Sequence, residues 1–349
     1  MKKFLGVLLS VAMVCTALTG CGTKEEQNLQ KITVSEVTHS IFYAAQYVAI
    51  NEGYFEEEGL DVELVNAGGA DKVMTSVLTN SADIGLAGAE ACVYVHAQGK
   101  EDAPQVFAQL TKCDGSFLVG REKVDNFDWK SLKGSTLLPG RKGGMPYMTL
   151  LYALNKNGLE VGKDVFFNDT IQFNAMTGAF LSGEGDYVTV FEPSATDMEM
   201  QNKGYIMASV GEEAGEVPYT TYFAKKDYDP EILQKFTNAI KKGQKFVEEK
   251  SVEEIAQSIQ PSFPDTDIKV VCKKYKGKMG NNTNGQVVVL TALKKYFEEY
   301  VANQIIEPNF IVAIDEELQS TAKKDEFYWK WNAEHIGVMK KIYGTGYVK

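Results

Sequence analysis

The chain has 349 residues, of which 44% are hydrophobic and 24% are charged, and its net charge is −11. This composition excludes disorder along the whole length and supplies enough apolar side chains for a large core, in one large domain or two lobes. The 36 Lys and Arg residues are outnumbered by 47 Asp and Glu residues, which argues against sequence-independent binding to nucleic acid.

The first twenty residues predict a secretory signal that ends in a lipid attachment site. Lys2 and Lys3 precede the apolar run 4–18, which is shorter than the ~20 residues of a membrane-spanning helix. The tetrapeptide LTGC at 18–21 resembles a bacterial lipobox. In lipobox signals the peptide is cleaved before the cysteine, and the thiol is then acylated, so the resemblance implies lipidation of Cys21. The alternative is an ordinary signal peptide (residues 1–20) with a cysteine there by chance.

The polar stretch 21–30 is predicted to be a flexible tether between the lipid and the folded protein. Loss of the signal removes two lysines and no acidic residue, so the mature chain carries a net charge of −13. Three cysteines then remain in the folded part, Cys92, Cys113 and Cys272. They cannot all pair with one another, and their spacing has no metal-site pattern. We expect small buried side chains, and one disulfide remains an open alternative.

The segment 31–98 predicts alternating strands and helices. Strands with β-branched or short apolar runs are expected at 31–37, 60–66 and 82–87. Helices are expected at 40–52, 71–79 and 90–98. This alternation indicates a mostly parallel sheet covered by helices, which is an α/β architecture.

A second unit of the same kind is predicted after residue 115. Its strands are expected at 135–138, 165–172 and 187–191, and its helices at 147–157, 174–182 and 193–203. The remaining elements are a strand at 219–224 and helices at 230–249, 252–259, 284–303 and 327–343.

Four stretches together resemble one known family. Residues 38–50 (THSIFYAAQYVAI) and 52–64 (EGYFEEEGLDVEL) are similar to the opening of ABC-transporter solute-binding lipoproteins of the sulfonate and thiamine-pyrimidine type (SsuA/THI5-like, NMT1-like). The stretches 81–85 (SADIG) and 178–187 (GAFLSGEGDY) resemble later landmarks of the same family. The similarity covers approximately residues 32–250.

The resemblance implies a type II periplasmic-binding-protein fold, with two α/β lobes and a ligand cleft between them. The first lobe is expected to be discontinuous, with residues 31–115 and 225–349. The second lobe, 116–224, is expected to include the return crossing strand, with the hinge at 110–119 and 219–225. The implied protein is a monomer anchored on the extracytoplasmic face of the cell membrane, where it delivers a small-molecule ligand to an ABC permease with its ATPase.

Candidate ligand-binding residues follow from the position of the strand ends. In sheets of this kind ligands bind beyond the carboxyl ends of strands, where helix N-termini offer free N–H groups. The loops at such positions contain Thr38, His39, Ser40, Phe42, Tyr43, Gly68, Gly69, Gly88, Glu90, Arg141, Lys142, Gly143, Gly144, Met145 and Glu192. Tyr219 and Tyr222 complete the set, and alternation along the crossing strand should turn one of them toward the cleft.

Each candidate also has a structural interpretation that the sequence leaves open. Ser40 could cap a helix, and His39 could be a structural residue at the end of the first strand. The glycines could serve turn geometry alone. Arg141 and Lys142 could form a solvated basic turn.

The candidate residues point to two ligand classes. Aromatic side chains beside Glu90 and Glu192 suit a flat nitrogen heterocycle, of which a thiamine-pyrimidine precursor is our first hypothesis. Arg141 and Lys142 instead favour a sulfonate or another small anion. A pyrimidine-forming enzyme of the same fold is disfavoured, because its cysteine cluster is missing here, and a ligand sensor remains open. No catalytic residue, cofactor or metal is predicted.

Overall fold

The computed structural model describes residues 28–98, 103–111, 113–215, 217 and 219–267. The predicted signal, Cys21, most of the tether, Cys272 and the helices expected at 284–303 and 327–343 lie outside these residues. Among the described residues, no helix is both long enough and apolar enough to cross a membrane.

Ten strands and ten α-helices are assigned within the described residues. The strands are β1 (Gln30–Glu36), β2 (Leu60–Asn66), β3 (Ile84–Ala87), β4 (Gln105–Thr111), β5 (Phe117–Gly120), β6 (Thr136–Leu138), β7 (Phe166–Phe167), β8 (Tyr187–Val190), β9 (Tyr205–Ser209) and β10 (Thr220–Ala224). The helices are α1 (Ala44–Asn51), α2 (Tyr54–Glu57), α3 (Ala70–Leu78), α4 (Glu90–Ala97), α5 (Met145–Lys156), α6 (Met176–Leu181), α7 (Ser194–Met200), α8 (Val210–Ala214), α9 (Pro230–Glu249) and α10 (Val252–Ile259).

The strands form two five-stranded sheets with the same plan. The first sheet has the order β2-β1-β3-β10-β4, in which β1 pairs in parallel with β2 and β3, while β10 is antiparallel to both its neighbours. The second has the order β7-β6-β8-β5-β9, in which β5 is the reversed strand. We call each sheet with its helices a lobe.

The reversed strand of each sheet is the first strand after the chain crosses from the other lobe. β5 follows β4 of the first sheet, and β10 follows β9 of the second. Two crossings therefore join the lobes, which confirms the predicted type II periplasmic-binding-protein fold. The return strand, which the sequence analysis counted with the second lobe, pairs with the first sheet. Helices α9 and α10 pack against α1 of the first lobe.

The predicted elements differ from the structure where local chemistry competes with the apolar pattern. The strand expected at 165–172 is only Phe166–Phe167, because Asn168 and Asp169 follow and favour turns. The helix expected at 40–52 opens with a 3₁₀ turn, Ile41–Tyr43, before α1 begins. Strands β4, β5 and β9 and the short helices α2 and α8 had no separate prediction.

A buried polar network holds the end of β1 in place. The Glu36 carboxylate accepts hydrogen bonds from Gln46 Nε2 at 2.9 Å and from the Tyr47 hydroxyl at 3.0 Å. The Tyr222 hydroxyl donates to Gln46 Oε1 at 2.9 Å and so extends the network to β10. Since buried polar groups are costly without partners, this network fixes the point at which β1 enters the inter-lobe loop.

Candidate functional site

Residues of both lobes enclose a cleft with about 640 Å³ of empty space, part of it continuous with solvent. The first lobe contributes Val37, Thr38, Tyr43, Gly68, Gly69, Ala70, Asp71, Gly88 and Glu90, with Tyr219 and Thr220 at the start of β10. The second lobe contributes Arg141, Gly144, Met145, Pro146, Gln172, Phe173 and Phe191.

The cleft lies where strands of both sheets end. Thr38 follows β1, Gly68 follows β2, Gly88 follows β3 and Phe191 follows β8. Parallel strands bring their carboxyl ends to one edge of a sheet, so loops far apart in sequence meet there. The N-terminus of α5, at Met145, also faces the cleft.

Four aromatic side chains form one wall of the cleft, namely Tyr43, Phe173, Phe191 and Tyr219. The ring centroid of Phe191 is 6.0 Å from that of Phe173 and 6.4 Å from that of Tyr219. Phe42 lies behind this wall, buried, with its centroid 5.6 Å from both Phe191 and Tyr219. Phe42 therefore supports the wall without lining it. Such a wall offers stacking and apolar contact to a flat ring.

Glu90 supplies the most deeply buried charge-bearing group of the cleft. It opens α4 and is only 1% exposed. Its Oε2 atom has no hydrogen-bond partner in the described part of the chain. Burial raises the pKa of this carboxyl to about 7, against the opposing effects of the backbone N–H groups of Glu90 and Met145 and the charge of Arg141.

Arg141 and Asp71 face each other across the mouth of the cleft. Arg141 Nε is 3.9 Å from Asp71 Oδ1, and the two side chains are 39% and 53% exposed. The guanidinium of the second lobe is thus paired with a carboxylate of the first. Lys142 is exposed and does not line the cleft, while the Gly143 carbonyl accepts a hydrogen bond from the Tyr94 hydroxyl. The structure therefore separates the two cations that are adjacent in sequence.

His39 lies beside the cleft rather than in it. Its Nδ1 is 2.9 Å from Glu36 Oε1, and its Nε2 is 2.7 Å from the carbonyl oxygen of Ser262. The hydrogen bond with Glu36 raises the pKa of His39, which burial partly opposes. The imidazole also lies 4.5 Å from the Phe263 ring. These contacts give His39 a structural role in holding the segment that follows α10.

Three other candidates are buried behind the cleft lining. Ser40 Oγ donates to the carbonyl of Glu192 at 2.6 Å and accepts from the Phe42 N–H. The Glu192 carboxylate accepts from the backbone N–H and the hydroxyl of Thr196 in α7. Tyr222 donates to Gln46, so of the two tyrosines proposed for the crossing strand it is Tyr219 that faces the cleft.

Several residues that line the cleft were not among the candidates, of which Asp71, Phe173 and Phe191 matter most; from the loop after β8, Glu192 was chosen instead of its neighbour Phe191. Phe191 had a usable signal, because it is the first residue after β8 just as Gly88 is the residue after β3. Asp71 and Phe173 had no such signal in the sequence, since each faces the cleft only once the other lobe is in place.

Within the part of the chain that the structure describes, two cysteines are placed, Cys92 and Cys113. Cys92 is buried in α4, as expected for a small apolar side chain, and Cys113 is half-buried. Among the described residues no group of three or more His, Cys, Asp or Glu side chains is placed to hold a metal ion.

Two comparisons identify the family. Residues 41–253, more than half of the chain, match the family model described as NMT1/THI5 like. The chain is also 50% identical over 266 residues to YtlA of Bacillus subtilis (strain 168), a protein named as a binding protein, with coverage of 74% of this chain and 79% of the relative. The chain belongs to the NMT1/THI5-like family.

Solved structures similar to this NMT1/THI5-like protein include anion-binding proteins. One is the alkanesulfonate-binding protein SsuA from Xanthomonas axonopodis pv. citri, bound to MOPS, at 15% identity and a TM-score of 0.66, covering 81% of this chain and 96% of that one. Another is the periplasmic nitrate-binding protein NrtA from Synechocystis PCC 6803, at 14% identity and a TM-score of 0.65, covering 85% and 89%. At these identities the likeness concerns the fold.

The end of the chain has a different similarity. Residues 264–349 match the family model of the phage tail sheath C-terminal domain. This match covers less than half of the chain, and nearly all of it lies outside the described residues. The prediction that the first lobe continues to residue 349 therefore stays a prediction.

Proposed function

We propose that this protein is the membrane-anchored substrate-binding component of an ABC importer and that its solute is a nitrogen heterocycle, with a thiamine-pyrimidine precursor as first choice. The observation that carries this proposal is the inter-lobe cleft with an aromatic wall and a buried carboxyl group at Glu90. Solute-binding sites are typically concave and largely apolar with a few well-placed polar groups, and this cleft has that character.

The charge distribution supports a heterocycle over a simple anion. A small anion bound by hydrogen bonds needs an excess of donors and positive charge. Here the lining cation Arg141 is accompanied by two acidic residues, Asp71 and Glu90. Glu90 is the more deeply buried of these groups, and burial strengthens its electrostatic effect.

A sulfonate or another small anion is the second candidate. Arg141 faces the cleft, and the similar solved structures named above bind alkanesulfonate and nitrate. With such a ligand, the anion would replace Asp71 as the partner of Arg141, and the Glu90 carboxyl would contact the anion in its neutral, protonated form.

The proposed setting combines Cys21 with the inter-lobe cleft. Acylation of Cys21 would tether the folded monomer to the outer face of the membrane through residues 22–30. Ligand-dependent closure of two lobes that are joined by two crossings would then present a defined surface to a permease driven by its ATPase. The protein has no catalytic step in this scheme.

A thermal-shift panel tests the proposal. Pyrimidines, flavins, sulfonates and nitrate are added to the purified mature protein, and a true ligand stabilises it by RT ln(1 + [L]/Kd), about 2.7 kcal/mol at a hundredfold excess over Kd. The Phe173→Ala variant should lose the shift, whereas Phe166→Ala, an exposed phenylalanine outside the cleft, should keep it. No shift with any compound would refute the binding role.

A further inference from the structure

Two buried side chains that line the cleft each have a polar atom without a hydrogen-bond partner in the described part of the chain, the Tyr219 hydroxyl and the Glu90 carboxyl, and of these only Glu90 carries a carboxylate. Its Oε2 atom is inaccessible to solvent and has no hydrogen-bond partner in the described part of the chain. A buried carboxyl oxygen without a partner costs free energy, which an ordered water or a bound ligand can offset. Because Glu90 lines the cleft, the missing partner can come from a solute.

Gly88 provides the space in which this carboxyl lies. A Cβ atom at Gly88 would be 1.9 Å from Glu90 Oε2 and 2.6 Å from Met145 Cγ. The backbone at Gly88 is not in the left-handed region, so the conformation itself does not require glycine. Glycine is required instead because the Glu90 carboxyl occupies the space that a Cβ atom would take. The absence of a side chain at Gly88 thus lets the carboxyl face the cleft.

Several charged or titratable groups face Glu90. Arg141 approaches from the second lobe, but Asp71 shares its charge at 3.9 Å. The hydroxyls of Tyr43, Tyr94 and Tyr219 are the other titratable groups nearby, and burial raises the pKa of each. None of these tyrosines ionises near neutral pH. Glu90 is therefore the group of this set that changes charge between pH 5 and pH 8.

We propose that Glu90 is the specificity-determining residue of the cleft, and that its Oε2 accepts an N–H from the amino-substituted edge of an aromatic heterocycle lying against the aromatic wall. An anionic group at the same position would face the carboxylate and be rejected. This inference rests on the proposed function and narrows its solute to heterocycles that carry an N–H donor.

The proposal couples ligand binding to proton release. In the empty cleft the pKa of Glu90 is raised to about 7, chiefly by burial, so the carboxyl is largely protonated at pH 5.5. An N–H donor favours the carboxylate and lowers that pKa, so binding at acidic pH must expel a proton. Affinity should then rise about tenfold per pH unit up to pH 7 and level off above it.

The experiment uses isothermal titration calorimetry of the mature protein with two probes. One is 4-amino-5-hydroxymethyl-2-methylpyrimidine, and the other is the same ring without the amino group. The Glu90→Leu variant should bind the amino probe at least about tenfold more weakly but change affinity for the other probe less than about threefold. Circular dichroism and thermal unfolding establish that the variant folds.

The pH dependence supplies a second readout that a purely structural role would not change. The ratio of wild-type to Glu90→Gln affinity for the amino probe should rise more than about tenfold from pH 5.5 to pH 8, because the amide does not titrate. Both proteins are measured with the same probe at each pH, so any change in the protonation of the probe itself cancels in the affinity ratio. Asp197→Asn is the matched control, since burial raises the pKa of Asp197 but this residue of α7 does not line the cleft. It should retain the pH dependence of the wild type.

The possible outcomes separate the two proposals. Equal losses of both probes in Glu90→Leu, or a flat affinity ratio for Glu90→Gln, would overturn the role of Glu90 while leaving heterocycle binding in place. Tighter binding of a sulfonate or nitrate than of either pyrimidine would overturn both the heterocycle and the inference. Binding of no probe by the folded wild type would overturn the inference together with the proposed solute.

Discussion

The side-chain hydroxyl of Ser40, in the first lobe, donates a 2.6 Å hydrogen bond to the backbone carbonyl of Glu192, in the second. Both residues are buried. Two further contacts cross between the lobes nearby, from the Tyr94 hydroxyl to the Gly143 carbonyl and between Arg141 and Asp71. The lobes are thus closed against one another around the cleft, and Ser40 both starts the first helical turn and joins the lobes.

Replacing Ser40 with alanine should weaken ligand binding and lower stability. The change leaves the buried Glu192 carbonyl without this donor and removes the cap on the Phe42 N–H, which together cost about 1–3 kcal/mol. Urea unfolding and calorimetry measure the two effects. Ser131→Ala is the control, because the Ser131 hydroxyl bonds to Asp128 within one exposed turn and should change neither quantity by more than about 0.5 kcal/mol. Equal effects of the two changes would argue against a role for Ser40 in lobe closure.

Replacing Gly88 with alanine should displace the Glu90 carboxyl and weaken heterocycle binding by at least about tenfold. The added Cβ would lie 1.9 Å from Glu90 Oε2, and the side chain has to move because the backbone of β3 and α4 is fixed on both sides. Calorimetry with the amino probe measures the loss. Gly134→Ala tests a glycine distant from the cleft, where the Cβ meets no atom within 4 Å although the backbone is left-handed, so any loss there should appear in stability and not in affinity. Wild-type affinity in Gly88→Ala would contradict the proposed position of the carboxyl.

Glu90→Gln should stabilise the empty protein at pH 8 more than at pH 5. The pKa of Glu90 is raised from 4.5 to about 7, so the contribution of this group to stability is fully present below pH 4.5 and is lost as the pH rises to 7. Above pH 7 the loss is about 3 kcal/mol, which a neutral amide avoids. Thermal unfolding between pH 5 and pH 8 measures the difference.

Asp114 and His39 change the pH dependence of stability in the same direction as Glu90. Each has a raised pKa, so each contributes stability at low pH that is lost as the pH rises. The wild-type melting temperature should therefore fall toward pH 8, and Glu90→Gln should remove only part of that slope. Glu63→Gln, at an exposed position on β2, should leave the profile unchanged. An unchanged slope in Glu90→Gln would show that the Glu90 carboxyl is not buried in solution.

Asp71→Asn should increase affinity for small anions. The substitution removes the carboxylate that shares the charge of Arg141, and an exposed pair of this kind contributes about 0.2–1 kcal/mol, which is up to about fivefold in affinity. Binding of a sulfonate, measured at low salt, checks this. Arg141→Ala should reduce that affinity, whereas Lys142→Ala should change it less than twofold, because Lys142 lies outside the cleft. A larger effect of Lys142 than of Arg141 would contradict the assignment of the lining cation.

Cys21→Ser should release the protein from the membrane. The lipobox prediction makes the Cys21 thiol the acylated group, and a hydroxyl does not replace it. Fractionation of cells that express each form checks the location, and mass spectrometry of the wild type checks for the diacylglycerol adduct. Membrane association of the variant equal to that of the wild type would refute lipid anchoring through this residue.

Much of the architecture followed from patterns along the chain. The apolar periodicity predicted β2, α9 and α10 at their observed bounds, because each is long or strongly patterned enough to be decided locally. The short strands β5 and β9 were not separable, since four buried residues in β5 and five mostly half-buried residues in β9 are too few to show a period of their own. The strand-end rule indicated the correct loops for the cleft, but not which side chain of each loop faces it.

The sequence by itself determined the family, the α/β alternation and the loops that meet at the cleft, because these depend on local patterns and short motifs. Only the tertiary structure decided that Glu90 Oε2 lacks a hydrogen-bond partner at the cleft while the Glu192 carboxylate accepts from Thr196, although both are glutamates beside a strand end. It also decided that Arg141 pairs with Asp71 across the lobes, some seventy residues away along the chain. The physical reason is that burial, hydrogen-bond satisfaction and pKa depend on which groups the other lobe brings near, and no local pattern records that.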